Sequence, residues 1–258
     1  RPAMTQHDPS LAIAELRANV AVPFERARAM PKAVYTSPAF AKAEEDHIFA
    51  QDWLCAGRAD ALANPGDYLT MNIAGEPVII LRDREGTLRG MSNVCRHRMS
   101  TLLEGRGNVR SIVCPYHAWT YNLDGSLRGA PAMARNDAFC KEDVKLPSVR
   151  VEDWQGWIMV TLNPEATPVA ERLAGVDRLV GHLPMADYRE VFREDFRWDT
   201  NWKVLAENFM ESYHLPVCHA GTIGGSSDLN KMECPAGDEA FNYHWIIKDD
   251  TVPLALAH

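Results

Sequence analysis

Two short clusters of cysteine and histidine are the sequence feature that most constrains how this 258-residue chain can fold. The first cluster is Cys95-Arg-His97, and the second is Cys114-Pro-Tyr-His117. Far downstream, Glu211-Ser-Tyr-His214 is followed by His219. Side chains that bind one metal group must meet in space, so the fold has to bring the first two loops together. The downstream residues contain no thiolate and predict a separate site of different chemistry.

The first two loops each offer one thiolate and one imidazole. A two-iron cluster can take both sulfurs on one iron and both imidazoles on the other, which is Rieske-type ligation of a [2Fe–2S] cluster. Two neutral imidazoles in place of two thiolates make such a cluster easier to reduce. A structural zinc site is the alternative, because two Cys and two His also form a tetrahedron around Zn²⁺. Zinc-finger spacing keeps Cys with Cys and His with His, whereas each loop here mixes them, which favours the cluster.

Short apolar segments around both loops predict strands that end in ligand-bearing turns. Residues 78–81 and 88–94 flank a turn at 83–86 and lead directly into Cys95. The segments around Cys114 follow the same plan, with strands at 111–113, 119–121 and 127 and a turn at 122–125. We therefore expect both ligand pairs to lie at the ends of hairpins in an all-β domain.

The downstream segment predicts a helix that carries metal ligands. Residues 201–214 contain no Gly or Pro, and on a helix Glu211 and His214 share one face. Pro216 is expected to end or distort that helix and bring His219 beside His214. Imidazole and carboxylate without thiolate suit mononuclear Fe(II). Two nearby histidines are weak evidence alone, and they gain weight from the cluster motif upstream.

Taken in order, these motifs resemble those of the alpha subunits (terminal oxygenases) of Rieske non-haem iron oxygenases. The resemblance begins near Phe49 and includes the Asn-Trp-Lys to Tyr-His-x4-His stretch that ends at His219. It implies that the four residues of the first two loops hold the [2Fe–2S] cluster: Cys95, His97, Cys114 and His117. It also implies that His214 and His219 bind the mononuclear iron. Implied partners are O₂, NAD(P)H acting through a separate flavin and iron–sulfur reductase, and two further copies in a homotrimer.

The resemblance and the change of pattern along the chain predict an α+β fold in three parts. Residues 1–48 form an N-terminal helical segment that packs on the catalytic domain, with helices at 11–20 and 37–49. Residues 49–163 form the all-β Rieske domain, whose last strand is 157–162. Residues 164–258 begin a mixed α+β, helix-grip type catalytic domain. Its first elements are a helix at 169–183 and a strand at 192–198.

The third ligand of the mononuclear iron is not identified in this chain. Family members complete the site with an Asp well downstream, and we expect the chain to stop before it, leaving an incomplete oxygenase subunit. Acidic residues after His219 do not follow a pattern that we can assign: Asp228, Glu233, Asp238, Glu239, Asp249 and Asp250. Cys218 adjoins His219, but a site of this type prefers oxygen and nitrogen ligands.

Glu211 departs from the family pattern, which mostly has Asp at this position. The resemblance assigns it as an electron-transfer bridge, whose carboxylate accepts hydrogen bonds from a cluster histidine of one subunit and an iron ligand of the next. The alternative is an ordinary surface Glu on a helix. A Glu here is similar to the subgroup that oxidises quaternary ammonium compounds, such as carnitine monooxygenases and stachydrine (proline betaine) demethylases. Asn208 is a further candidate catalytic residue.

The implied reaction is hydroxylation of an N-methyl group on a betaine-like substrate, followed by loss of formaldehyde and thus oxidative N-demethylation. One alternative is an aromatic-ring hydroxylating oxygenase with the same metals. An alternative of another class is a Rieske ferredoxin-like protein that only transfers electrons, and the pair His214 and His219 argues against it.

Composition narrows the range of partners and compartments. The net charge of −8 without a basic run argues against nucleic acid. An acidic surface is suited to a basic redox partner or a cationic substrate. The sequence lacks an apolar run of membrane-spanning length and a secretory pattern, so we expect no membrane association and a cytoplasmic location. The cysteines outside the motifs are expected to be free thiols: Cys55, Cys140, Cys218 and Cys234.

Overall fold

The computed structural model describes residues 9–226, 228–235 and 237–246, which divide into two compact units. The larger unit comprises Ala41–Ala174 and Val180–Glu194. The smaller unit comprises Arg1–Phe40, Gly175–Leu179 and Asp195–His258. The all-β character predicted for the Rieske domain and the mixed character predicted for the catalytic domain are confirmed. The domain boundaries at residues 48 and 163 stay a prediction.

Antiparallel strands build the larger unit. Strands β1 to β5 are Leu54–Arg58, Asp67–Ile73, Glu76–Arg82, Leu88–Ser92 and Arg106–Asn108. Strands β6 to β10 are Ile112–Val113, Thr120–Tyr121, Leu127–Gly129, Ser148–Trp154 and Trp157–Thr161. Seven strands form one sheet in the order β1-β10-β9-β4-β3-β2-β5, and β6-β7-β8 form a three-stranded sheet. The hairpin predicted before Cys95 and the strands and turn predicted around Cys114 are therefore confirmed.

Strand β3 shows why the larger unit has two cores. Successive residues of a strand point to opposite faces of the sheet. The side chains of residues 78–81 are all almost fully buried, so both faces of the sheet are covered at β3. Ile79 and Leu81 pack in the core that contains Cys95. Val78 and Ile80 pack in the core on the other face. Full burial of one such side chain contributes about 1.5–3 kcal/mol, so β3 anchors both cores.

Asp83 fixes the turn that connects β3 to β4. Its carboxylate is 1% exposed and accepts hydrogen bonds from Glu85 N at 3.1 Å, Thr87 N at 2.7 Å and Arg89 Nε at 2.7 Å. Burial acts to raise the pKa of Asp83, but these hydrogen bonds outweigh it and hold the pKa below its usual range. The turn sets the register of β4, which runs towards Cys95.

Helices α1 to α3 are Ser10–Val20, Ala33–Thr36 and Pro38–Glu44. Their N-terminal segment has a small core of Ala12, Val34 and Phe40. The Ser37 hydroxyl accepts from Phe40 N at 3.3 Å and caps the N-terminus of α3 just before Pro38. A π-helical turn at Glu45–Phe49 follows α3 in place of the α-helix predicted there.

Three sequence predictions for residues 169–214 are wrong. The helix predicted at 169–183 is broken into α4, Val169–Arg172, and α5, Ala174–Val180, which has the poor helix former Gly175 at its second position. The strand predicted at 192–198 does not form in the described structure, because a lone strand without a pairing partner is not stable. The helix predicted at 201–214 stops early, as α6, Trp202–Phe209.

The smaller unit continues with α7, Leu215–Cys218, and a short hairpin of β11, Met232–Glu233, and β12, Trp245–Ile246. Among the described residues, no helix combines the length and the apolar character needed to cross a membrane. The four cysteines outside the motifs are exposed free thiols, in agreement with the sequence prediction.

Candidate functional site

The two loops that carry the Cys and His motifs share one backbone design. In each loop, the residue four positions after the cysteine donates its N–H to the cysteine carbonyl, at 3.1 Å from Met99 and 3.0 Å from Ala118. Both of these residues have left-handed backbone conformations, with φ of 54° and 57°. Each loop therefore turns back tightly, which places its Cys and His on one side. Strands β4 to β7 hold the two loops next to each other.

The side chains of these loops divide into an inner and an outer pair. Cys95 and Cys114 are 1% and 2% exposed, and the two thiols are within hydrogen-bond reach of each other. His97 and His117 lie at the surface, with ring centroids 4.7 Å apart. The indole of Trp119 stacks on His97 at 4.8 Å and 5°, which fixes the plane of that imidazole. The loops thus present two buried sulfurs below two exposed imidazoles.

Hydrogen-bond donors surround the buried sulfurs. Burial acts to raise the pKa of Cys114, but backbone N–H donors of Tyr116 and His117, with further hydrogen bonds from Cys95 and Ser100, lower it overall. Such donors stabilise negative charge on sulfur. A negatively charged iron–sulfur group therefore fits this pocket.

Tyr121 is a residue of this site that sequence analysis missed. It is completely buried on β7, with its hydroxyl 3.3 Å from Cys95 Sγ, and it accepts the N–H of Arg96 at 3.0 Å. Because its oxygen accepts from Arg96, its proton is available for the sulfur. Burial first, and the adjacent Cys95 second, raise the pKa of Tyr121 well above its usual range. The phenol therefore keeps its proton and donates it to the sulfur at neutral pH.

The donor arrangement fits a [2Fe–2S] cluster better than a single zinc ion. A Zn²⁺ site needs four donors that converge on one point. Here the two thiols are buried and the two imidazoles exposed, so the four donors form two pairs of different kind. Two sulfurs inside and two imidazoles outside match a cluster in which each iron has two protein ligands of one kind.

The second candidate site lies beyond α6, where Glu211, His214 and His219 come together. The carboxylate of Glu211 accepts from His214 Nδ1, from the N–H of Tyr213, and from the N–H of His214 at 3.2 Å. The rings of His214 and His219 lie 5.4 Å apart. The two histidines meet as expected, but the prediction that Glu211 and His214 share a helix face is wrong. Pro216 lies in the first turn of α7 instead, where its missing N–H is tolerated.

The contact between Glu211 and His214 sets the orientation of that imidazole. A histidine that donates its Nδ1 proton to a carboxylate keeps Nε2 as the free lone pair, and this arrangement is common for metal ligands. Burial acts to raise the pKa of Glu211, but its hydrogen bonds to His214 and Tyr213 lower it overall. The carboxylate is therefore ionised at neutral pH and serves as an orienting group.

The structure brings no third ligand to the two histidines within the described residues. The carboxylates of Asp228, Glu233 and Asp238 accept hydrogen bonds from Asn230 N at 3.0 Å, Trp245 Nε1 at 3.0 Å and Ala240 N at 2.7 Å. Asp249 and Asp250 lie outside the described residues. The side chains present thus fit two ligand positions of a mononuclear iron, and the third ligand stays unassigned. Asn208 is exposed on α6, and its predicted role stays a prediction.

Two further contacts hold the ligand segment, and neither was foreseen from the sequence. Ser212, which is 3% exposed, lies 2.9 Å from Nε2 of His244 beside β12. Lys203 is buried on α6, with its Nζ above the rings of Tyr35, Phe40 and Trp202 at 5.8, 5.4 and 5.3 Å. Apart from Trp202, which is next to Lys203, the partners are far apart in sequence, so no local pattern could have predicted these contacts.

Comparison with known proteins matches both sites to known domains. Residues 52–150 match the Rieske [2Fe–2S] domain, and residues 185–250 match the catalytic domain of ring hydroxylating alpha subunits. The carnitine monooxygenase oxygenase subunit of Acinetobacter baumannii is 36% identical over 198 residues, which are 74% of this chain and 52% of that protein. The chloroplastic choline monooxygenase of Spinacia oleracea is 31% identical over 77% of this chain and 46% of its own length.

Solved structures show the same likeness. The quaternary ammonium Rieske monooxygenase CntA in complex with L-carnitine has a TM-score of 0.72 and 34% identity, covering 80% of this chain and 59% of that one. Naphthalene 1,2-dioxygenase from Rhodococcus has a TM-score of 0.79 and 25% identity, covering 96% and 58%. The chain spans about half the length of the curated relatives that it matches. The two domains imply a [2Fe–2S] cluster and a mononuclear iron, as predicted. The chain belongs to the family of Rieske non-haem iron oxygenase alpha subunits.

Proposed function

We propose that this chain is part of a monooxygenase that hydroxylates an N-methyl group of a betaine-like quaternary ammonium compound. The observation that carries the proposal is Glu211, whose carboxylate orients His214, in a chain that also carries the Rieske motifs. Its support comes from the similarity to carnitine and choline monooxygenases over three quarters of the chain. The electrons come from NAD(P)H through a separate flavin and iron–sulfur reductase.

Four side chains hold the cluster in this proposal. Cys95, Cys114, His97 and His117 would hold the cluster, which when bound would supply one-electron transfer. Trp119 keeps the His97 ring in one plane, and its contact distance leaves little room for rotation. Tyr121 holds a proton at its hydroxyl, directed at Cys95 Sγ.

His214 and His219 would hold the mononuclear iron, together with a third ligand yet to be assigned, and the bound iron would supply O₂ activation. Glu211 fixes the tautomer of His214 and remains ionised. Each carboxylate oxygen can accept more than one hydrogen bond. Glu211 can thus also accept from a cluster histidine of a neighbouring subunit, as a homotrimeric assembly with an inter-subunit bridge requires.

In the reaction, one oxygen atom of O₂ is inserted into a C–H bond of an N-methyl group, and the other leaves as water after two electrons and two protons are taken up. The N-hydroxymethyl product then loses its hydroxyl proton and breaks its C–N bond, which releases formaldehyde and the tertiary amine. The net reaction is oxidative N-demethylation.

The test uses full-length protein with its reductase and a panel of proline betaine, glycine betaine, carnitine, choline and aromatic acids. Formaldehyde formed in proportion to NAD(P)H consumed, with one betaine preferred, is the expected result. A mass-spectrometric search for hydroxylated aromatic products runs in parallel, because the naphthalene dioxygenase fold is also similar. Ring hydroxylation without formaldehyde from any betaine would replace the proposal by the aromatic-ring alternative. Iron analysis that finds cluster iron only would remove the oxygenase assignment altogether.

A further inference from the structure

One tyrosine of the N-terminal helices contacts both ends of α6, the helix that leads into His214. Tyr35 on α2 donates its hydroxyl proton to the carboxylate of Glu207, at 2.9 Å from each oxygen. The backbone carbonyl of Tyr35 accepts from Asn201 Nδ2 at 3.1 Å. Asn201 is also the N-cap of α6, because its side chain accepts from Lys203 N at 3.0 Å. All of these residues belong to the smaller unit.

Lys203 forms the second part of this contact. It is 8% exposed, and lysine is rarely so buried. Its Nζ lies 5.8 and 5.4 Å from the ring centroids of Tyr35 and Phe40, and 5.3 Å from that of Trp202, which is a favourable place for a cation. Lys203 and Glu207 are four residues apart and therefore share one face of α6. That face is the one that meets the N-terminal helices.

The position of α6 depends on this face. Within the part of the chain that the structure describes, Lys203 is the one buried residue of α6, whereas Val204 and Phe209 are 47% and 76% exposed. The helix ends at Phe209, two residues before Glu211, whose carboxylate accepts from His214 Nδ1. A displacement of α6 therefore moves the carboxylate that orients His214.

We propose that Tyr35 is a positioning residue of the mononuclear iron site, acting through Glu207 and α6 on the pair Glu211 and His214. The inference rests on the proposed function for the assignment of His214 as an iron ligand, and it does not depend on the substrate. Burial first, and the adjacent Glu207 second, raise the pKa of Tyr35. Its hydroxyl therefore remains a hydrogen-bond donor to Glu207 at neutral pH.

The experiment compares Tyr35→Phe with the wild type in full-length, cluster-loaded protein, without substrate. Phenylalanine keeps the ring beside Lys203 and removes the hydrogen bonds to Glu207. Loss of the direct partner of a ligand histidine weakens metal binding about 10–100-fold, so we expect this more remote change to weaken Fe(II) binding about fivefold. The electron paramagnetic resonance spectrum of the nitric oxide adduct of this iron is expected to broaden, because His214 then adopts several orientations.

Two variants control for the loss of a hydrogen bond as such. Glu207→Gln keeps a carbonyl oxygen that accepts from Tyr35, so its Fe(II) affinity is expected to stay within about twofold of the wild type. Tyr68→Phe is the matched control, because it removes a tyrosine hydroxyl that donates to the Glu104 carbonyl at 3.2 Å in the larger unit. It is also expected to stay within about twofold, because distant sites act independently.

Denaturant titration measures the stability of each variant, and visible absorption confirms that it keeps its cluster. Unchanged Fe(II) affinity and an unchanged nitric oxide spectrum in Tyr35→Phe would make Tyr35 a purely structural contact and overturn the proposal. Equal weakening by Tyr35→Phe and Tyr68→Phe would also overturn it, because iron binding would then follow general stability. A wild-type protein that binds no mononuclear iron would overturn the proposed function as well, so the two failures are distinguishable.

Discussion

Replacing Tyr121 with Phe tests whether its hydroxyl tunes the cluster. The substitution keeps the buried ring and removes the hydrogen bond to Cys95 Sγ, at 3.3 Å, together with the acceptor of Arg96 N. Because burial and Cys95 raise the pKa of Tyr121, the hydroxyl is protonated throughout the assay range. Its loss therefore removes a donor and not a charge.

The size of the effect follows from the charge on the sulfur ligand. A hydrogen bond to a charged acceptor contributes about 1.5–3 kcal/mol, and it is stronger when the cluster carries one more electron. If about half of that energy is specific to the reduced state, its loss lowers the reduction potential by about 30–65 mV, since a factor of ten is 59 mV for one electron. The unpaired Arg96 N–H adds a destabilisation of about 1–2 kcal/mol to the folded state.

A spectroelectrochemical titration of the purified protein measures the potential directly. Tyr116→Phe is the matched control, because Tyr116 is 58% exposed and packs on His117 through its ring. We expect the control to shift by less than about 10 mV, because a solvated hydroxyl has little influence on the cluster. An unchanged or higher potential in Tyr121→Phe, with the cluster retained, would refute the role assigned to this hydroxyl.

Three further substitutions test other parts of the structure. Glu211→Gln is expected to keep both metals and to slow electron transfer between them in rapid mixing with O₂; unchanged transfer would count against the bridge. Asp83→Asn is expected to lower the free energy of unfolding by about 1–3 kcal/mol in denaturant titrations above pH 5. The pKa of Asp83 is lower in the folded state, so its carboxylate stabilises the fold fully above the unfolded pKa of about 4. That stabilisation is lost as the pH falls through the folded pKa. The Asn variant should lack this pH dependence. Gly156→Ala is expected to lower the free energy of unfolding by about 1–3 kcal/mol, because φ is +79° and the new methyl group meets the Arg58 guanidinium. Gly129 has open space around it, so Gly129→Ala is expected to lower it by less than about 1 kcal/mol. A similar loss in both glycine variants would contradict the steric argument.

Local signals explain the predictions that succeeded. The turn at Asp83 is specified by the side chain of one residue and the backbone groups that follow it, so the sequence pattern is sufficient. The ligand helix shows the opposite case. Its local composition favours a helix to His214, but the backbone leaves the helix after Phe209, and the Glu211 carboxylate accepts from the N–H groups of Tyr213 and His214 instead. The helix ends at Phe209 because a side-chain acceptor competes with the backbone carbonyls for these N–H groups. Helix propensity does not include this competition.

By itself, the sequence determined the kinds of metal chemistry, because each Cys and His pair lies within a few residues and the covalent chain keeps its members close. It also determined the strands around them, through short apolar runs bounded by turn residues. Tertiary structure alone decided which distant groups surround those ligands. Tyr121 reaches Cys95 from β7, and Ser212 meets His244 beside β12, across separations for which the sequence has no periodic signal. Such contacts depend on how whole strands and helices pack, and that packing is fixed by burial of the complete cores and not by any local motif.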